Sequence, residues 1–165
     1  MRQPEMQGAV AADVTTAGEG PMAVLVHSSV SGARQWRKLM EALAGRFEVR
    51  AVNLFGYGET PPWPATRTLT LDDLAALVTG ALPADANGVT LIGHSLGASV
   101  AMAAAMALGQ RVSKLLLIEP NTFHLLRDGG RGEAYAEILK VRDAVVDAYR
   151  SGDNVAWDGA AARFA

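Results

Sequence analysis

Five residues, Gly93-His94-Ser95-Leu96-Gly97, join a short apolar run, Val89-Thr90-Leu91-Ile92, to an alanine-rich stretch that extends to Leu108. The run reads as a buried strand and the alanine-rich stretch as a helix. A serine at such a junction is held on a sharp, strained turn at the C-terminal edge of a sheet. Glycines stand two residues to either side because a Cβ there would collide with the neighbouring strand and helix. The helix N-terminus adds backbone N–H groups and the positive end of a dipole, which suit an oxyanion. Ser95 is therefore the candidate nucleophile, and a structural turn serine is the alternative. The five-residue pattern alone arises by chance in Gly/Ser-rich chains. Its weight comes from the strand before it and the helix after it.

The same alternation continues on both sides. Residues 23–26 form a continuous apolar run that ends in the small polar loop His27-Ser28-Ser29-Val30-Ser31-Gly32. Trp36, Leu39, Met40 and Leu43 recur at helical spacing, and residues 47–54 read as the next strand. Phe55-Gly56-Tyr57-Gly58-Glu59-Thr60 and Pro61-Pro62-Trp63-Pro64 can only be loop. Thr70 is a suitable N-cap, with Asp72 and Asp73 in the first turn and Leu71, Leu74, Leu77 and Val78 inward. Residues 112–118 carry the strongest apolar run, Leu115-Leu116-Leu117-Ile118. A weak strand is expected within residues 9–15. This rhythm predicts an α/β fold, a predominantly parallel sheet with helices on both faces.

The character changes after Pro120. Residues 133–150 are amphipathic, with Tyr135, Ile138, Leu139, Val145, Val146 and Tyr149 on one stripe that Arg142 interrupts. Residues 155–164 read as a further helical stretch. The expected division is residues 1–120 as core and residues 121–165 as a second, helical part.

Composition narrows the function. The net charge of −2 offers no basic footprint for nucleic acid or an anionic membrane. The absence of cysteine excludes thiol catalysis, disulfides and cysteine metal sites, and it suits a cytoplasmic setting. Residues 91–109 hold no charged side chain, but the glycines and polar residues at 93–97 break them, so a buried helix is expected rather than a membrane span. No metal cluster or phosphate loop is visible. Gly56-Tyr57-Gly58 lacks the third glycine and following helix of a dinucleotide fingerprint.

Taken together, several blocks resemble the α/β-hydrolase family. Val24-Leu25-Val26-His27-Ser28-Ser29 is similar to the strand and loop usually written apolar-apolar-His-Gly-x. Asn53-Leu54-Phe55-Gly56-Tyr57-Gly58 resembles the family's Asp-x-x-Gly-x-Gly loop, and the elbow around Ser95 matches fully. Leu117-Ile118-Glu119-Pro120 is similar to the strand end before the cap, and the amphipathic segment to the cap's start. Two departures stand out. Ser28 replaces a glycine, which is expected to narrow the oxyanion loop. Asn53 replaces an aspartate, so neutral hydrogen bonds are expected to tie that loop.

The resemblance implies a serine hydrolase of esterase type, without cofactor or metal, acting on a small-molecule ester-like carbonyl through an acyl-enzyme. It places the oxyanion hole at the backbone N–H groups of Ser29 and Leu96. It makes His27 a brace of its loop and His94 a neighbour of the nucleophile, with His124 a histidine of the hinge or surface. The family's acid and histidine usually follow its seventh and eighth strands, beyond this stretch. Some members place the acid after the sixth strand, where Glu119 stands. The chain is thus expected to be the N-terminal part of a hydrolase, ending within the helical cap, with the edge of residues 112–118 open to self-association. Trp36, Phe55 and Phe123 are candidates for an apolar substrate pocket, with Trp63 nearby. The rival function is a non-catalytic fragment or binding module that keeps the pocket without the triad.

Overall fold

A computed structural model of the chain describes residues 10–64 and 66–152. The strands are β1 Val14–Ala17, β2 Met22–Val26, β3 Glu48–Val52, β4 Val89–His94 and β5 Val112–Ile118. The helices are α1 Arg37–Leu43, α2 Leu71–Gly80, α3 Leu96–Leu108, α4 His124–Asp128 and α5 Gly132–Ser151. The stretch at 155–164 lies outside the described residues. A division after Asn121 separates two compact units.

In the first unit the strands form one sheet in the order β1-β3-β2-β4-β5. All neighbours are parallel except β1, which runs antiparallel to β3. Period-2 alternation sends side chains to two faces. Val24, Val26, Val52 and Leu91 pack with Leu74, Val78, Val100 and Ala104 of α2 and α3. Leu25, Val49, Ala51 and Ile92 pack with Trp36 and Met40 on the α1 side. Residues 23–26 of the central strand β2 read as one continuous apolar run because both of its faces are covered.

Helix α2 begins with a reciprocal cap. Thr70 Oγ1 accepts from the Asp73 N–H at 3.3 Å, and the Asp73 carboxylate accepts from the Thr70 N–H at 2.9 Å. Helix α3 is not fully buried. Its sheet-facing side, Ala98 to Ala101 with Ala104, is covered, but Met106 is 86% exposed. The expectation from uniformly small apolar residues fails because α3 lies near the β5 edge, where no described element covers its outer face.

Strand β5 ends the sheet among the described residues. Leu115, Leu116 and Ile118 are about two-fifths exposed there. No described helix is long and apolar enough to cross a membrane. In the second unit, α4 and α5 pack on each other, with the Arg127 guanidinium 5.9 Å from the Tyr135 ring centre. On α5 the covered stripe runs through Ile138, Val141 and Val145 to the buried Ala148, and Tyr149 is exposed. Steps of three and four residues carry the face to position 148 rather than 149.

Candidate functional site

Parallel strands end on the same side of a sheet, so β2, β4 and β5 deliver their following loops to one edge. The chain leaves β2 for β3 on one side and returns to β4 on the other. The gap between the ends of β2 and β4 is therefore a topological switch point, where α/β sheets open a crevice. The loop 27–32 flanks that gap on one side and Ser95 on the other.

Backbone strain gathers at the same edge. Among the described residues, the non-glycine residues with positive φ are Val30 at 60°, Ser95 at 54° and Glu119 at 48°. One follows each of β2, β4 and β5. Such conformations cost about 1–3 kcal/mol each and cluster where a site demands them. Val30 is β-branched, which makes it the strongest outlier. Its N–H is held by the Tyr57 hydroxyl at 2.9 Å.

Ser95 stands between the last residue of β4 and the first of α3, with φ 54° and ψ −117°. Its N–H donates to Ile118 O at 2.9 Å, tying the turn to β5. A Cβ on Gly93 would overlap the Gly97 carbonyl and stand 2.6 Å from the Ala98 Cα. A Cβ on Gly97 would overlap the carbonyls of Val26 and His27. The Ser95 hydroxyl donates to Asn121 Oδ1 at 3.2 Å, and no described histidine bonds it. The N–H groups of Ser29 and Leu96 engage no acceptor among the described residues.

The three histidines have distinct settings. His27 is fully buried; its Nδ1 donates to Ser28 O at 2.7 Å and its Nε2 accepts from the Leu54 N–H at 3.1 Å. Both nitrogens are committed, so this ring braces the loop and cannot act as a base. Burial pushes its pKa down, against the opposing pull of the Ser28 carbonyl. The unfolded ring takes up a proton near ~6.5, whereas the folded ring resists it. Protons then favour the unfolded chain, and His27's contribution to stability is lost as pH falls below ~6.5. An NMR titration of the His27 ring should give a midpoint below that value; one at or above it would contradict the buried neutral ring. His94 accepts at Nδ1 from Gln35 Nε2, 3.0 Å away, and its Nε2 lies 3.6 Å from Glu119 Oε2. His124 opens α4 in the second unit.

The loop following β3 is tied by a charge after all. Asn53 Oδ1 accepts from the Ala33 N–H at 2.7 Å, and Asn53 Nδ2 donates to Asp13 Oδ2 at 2.8 Å. The same Asp13 oxygen accepts from the Glu59 N–H at 3.0 Å. The carboxylate missing at Asn53 is supplied from beside β1, and neutral bonds alone do not hold this loop. Nothing in the sequence pattern pointed to Asp13, because register between β1 and β3 creates the pair.

The aromatic candidates separate. Trp36 is buried in the α1-side core, where its indole packs with Leu25, Met40 and Ile92. Phe55 packs against the α2/α3 core, with its ring 4.9 Å from Trp63. Phe123 is partly exposed in the second unit. A cavity of about 320 Å³ lies beside the loop 30–34, bordered by Tyr57 and Gly58; Ser95 is not in its lining. Gln35, Tyr57 and Asn121 are neighbours of the site that motif reading missed.

A family description, alpha/beta hydrolase family, matches residues 23–165. The chain belongs to the alpha/beta hydrolase family. It is 32% identical over 117 residues to the pimeloyl-[acyl-carrier protein] methyl ester esterase of Aeromonas hydrophila, covering 71% of this chain and 44% of that protein. The Bacillus megaterium epoxide hydrolase shares the fold with a TM-score of 0.71 at 19% identity, over 87% of this chain and 52% of that one. The N-formylmaleamic acid deformylase of Pseudomonas putida is 30% identical with a TM-score of 0.57, over 65% of this chain and 42% of that one. This alpha/beta hydrolase chain thus spans about half the length of these relatives, or less.

Proposed function

We propose that this chain carries the nucleophile of an ester-cleaving hydrolase. Ser95 Oγ attacks the carbonyl carbon of a small-molecule ester, and the carbonyl oxygen takes the negative charge. The N–H groups of Ser29 and Leu96 donate to that oxygen as an oxyanion hole. The alcohol leaves, and water then hydrolyses the acyl-enzyme. A histidine from outside the described residues is the base, and Glu119, exposed at the same sheet edge, is the acid candidate. The observation that carries the reading is the strained Ser95 turn at the strand-to-helix junction, together with Ser29 and Leu96 N–H groups that have no described acceptor. The methyl ester esterase among the relatives supports an ester as substrate. Our reading extends to a cytoplasmic setting, which a cysteine-free chain suits.

One observation favours the rival, a module without catalysis: the Ser95 hydroxyl meets Asn121 rather than an imidazole. A fluorophosphonate probe separates the two. Ser95 should be labelled, and Ser95→Ala should abolish labelling. In the 165-residue chain alone the reaction should be slower by orders of magnitude than in a complete triad, because a serine without base and acid loses most of its activation. Labelling that survives Ser95→Ala would sink the nucleophile assignment.

A further inference from the structure

The loop 27–32 and the turn around Ser95 belong to different elements, and one side chain joins them. Gln35 Oε1 accepts from the Ser28 N–H at 3.0 Å and from the Ser28 hydroxyl at 2.9 Å. The other end of the same amide, Nε2, donates to His94 Nδ1 at 3.0 Å. Ser28 precedes Ser29, and His94 precedes Ser95. A single planar amide therefore spans the residues immediately before the loop amide and the nucleophile.

The polarity of this clasp is dictated by its partners. The Ser28 N–H can only donate, so the carbonyl end of Gln35 must face it. The NH₂ end then faces His94, which must present Nδ1 without a proton, leaving the ring proton on Nε2 toward Glu119. Gln35 itself is fixed from below. Its N–H donates to Gly32 O at 3.1 Å, and the turn it sits in is anchored by the Ala33 N–H on Asn53. The serine at position 28, where the family pattern has glycine, adds the hydroxyl that gives Gln35 Oε1 its second donor. The hydroxyl also pairs with Ser31 Oγ at 2.9 Å, so it draws the loop together.

We propose that Gln35 is the positioning residue of this site, holding the loop that carries the Ser29 N–H in register with the turn that carries Ser95 and the Leu96 N–H. The proposal rests on the nucleophile reading above for its consequence, but the clasp itself is testable without it. Two donors that serve one oxyanion must keep a spacing set to a few tenths of an ångström. Gln35 touches no reacting atom and acts through Ser28 and His94.

The test uses the whole 165-residue chain with two variants. Gln35→Met keeps length and removes both polar ends. Gln35→Glu keeps an acceptor for Ser28 but replaces the donor facing His94 with a carboxylate oxygen. By NMR, Gln35→Met should speed exchange of the Ser28 N–H at least about tenfold, because its acceptor is gone. Gln35→Glu should leave that exchange slow and move a proton onto His94 Nδ1, seen in the ring nitrogen shifts. With the fluorophosphonate probe, Gln35→Met should lower the limiting rate of Ser95 labelling about tenfold with half-saturation unchanged, since geometry rather than binding is lost. Unchanged Ser28 exchange in Gln35→Met, or an unmoved His94 ring in Gln35→Glu, overturns the clasp. So does a parent labelling rate in Gln35→Met. If the parent chain, without base and acid, takes up no measurable probe at Ser95, the two NMR measurements alone decide on Gln35, whereas labelling that survives Ser95→Ala overturns the nucleophile reading and leaves the clasp standing.

Discussion

Gly97→Ala should leave the chain unable to hold its folded core. The added Cβ would overlap the carbonyl oxygens of Val26 and His27 and stand 2.6 Å from the Val26 carbonyl carbon. Those atoms belong to the end of β2, a central strand whose residues 23–26 are buried and paired on both sides. Backbone so placed cannot retreat without opening the β2–β4 ladder. A loss of about 4–5 kcal/mol or more is expected, the range reserved for severe backbone or packing conflict. That is comparable with the whole stability of an ordinary domain, roughly 5–15 kcal/mol. Gly45→Ala is the control: nothing lies within 4 Å of a Cβ there. Urea unfolding of both variants is the measurement. A Gly97→Ala midpoint that implies less than about 1 kcal/mol of loss, on the scale of an ordinary substitution, would show that the α3 start is not packed on β2 as described.

The second large effect is self-association of residues 1–165. Strand β5 presents an unpaired edge with Leu115, Leu116 and Ile118 exposed; it carries no proline, and its register shift against β4 falls at Ser113, leaving Lys114 to Ile118 in regular pairing. Natural edges use charge, proline or bulges against pairing. Lys114 is the only charged residue of β5, and it precedes the four aliphatics. The exposed aliphatics add to the drive for cover. Light scattering on the isolated polypeptide should give at least a dimer mass, and the unfolding midpoint should rise with protein concentration. Leu116→Lys, a charge in the middle of the edge, should return most of it to monomer. A compact monomer with a concentration-independent, cooperative transition would defeat this expectation. It would also favour the rival reading of a small self-sufficient module.

Much of the fold was legible in the residues because burial on both faces leaves a plain signature. Residues 23–26 read as a continuous apolar run, 89–92 and 112–118 as strands, and α3 begins and ends at the predicted residues. The elbow was legible for a different reason. Strand, serine and helix are adjacent in the chain, and the glycine requirement is a local steric fact. Where partners are distant in sequence, legibility stopped. Position 53 was read as a lost charge, yet Asp13, 40 residues away, restores it across the β1–β3 pairing. Trp36 was read as pocket lining because it stands near a loop. Its helical turn rotates it under the sheet instead, into contact with the Leu25 and Ile92 side.

The sequence by itself determined the alternation of elements, the parallel sheet and the serine's place on a strand-to-helix turn. Each follows from periodicity, caps and glycine sterics within about a dozen residues. Only the tertiary structure decided that Val30, Ser95 and Glu119 strain the same sheet edge, and that Gln35 bridges Ser28 to His94. Those relations depend on strand order. β2 and β4 are neighbours although 62 residues separate the end of one from the start of the other, with β3 and α2 between them in the chain. No local preference encodes which strands will lie side by side; the shared burial of their faces selects it when the sheet assembles.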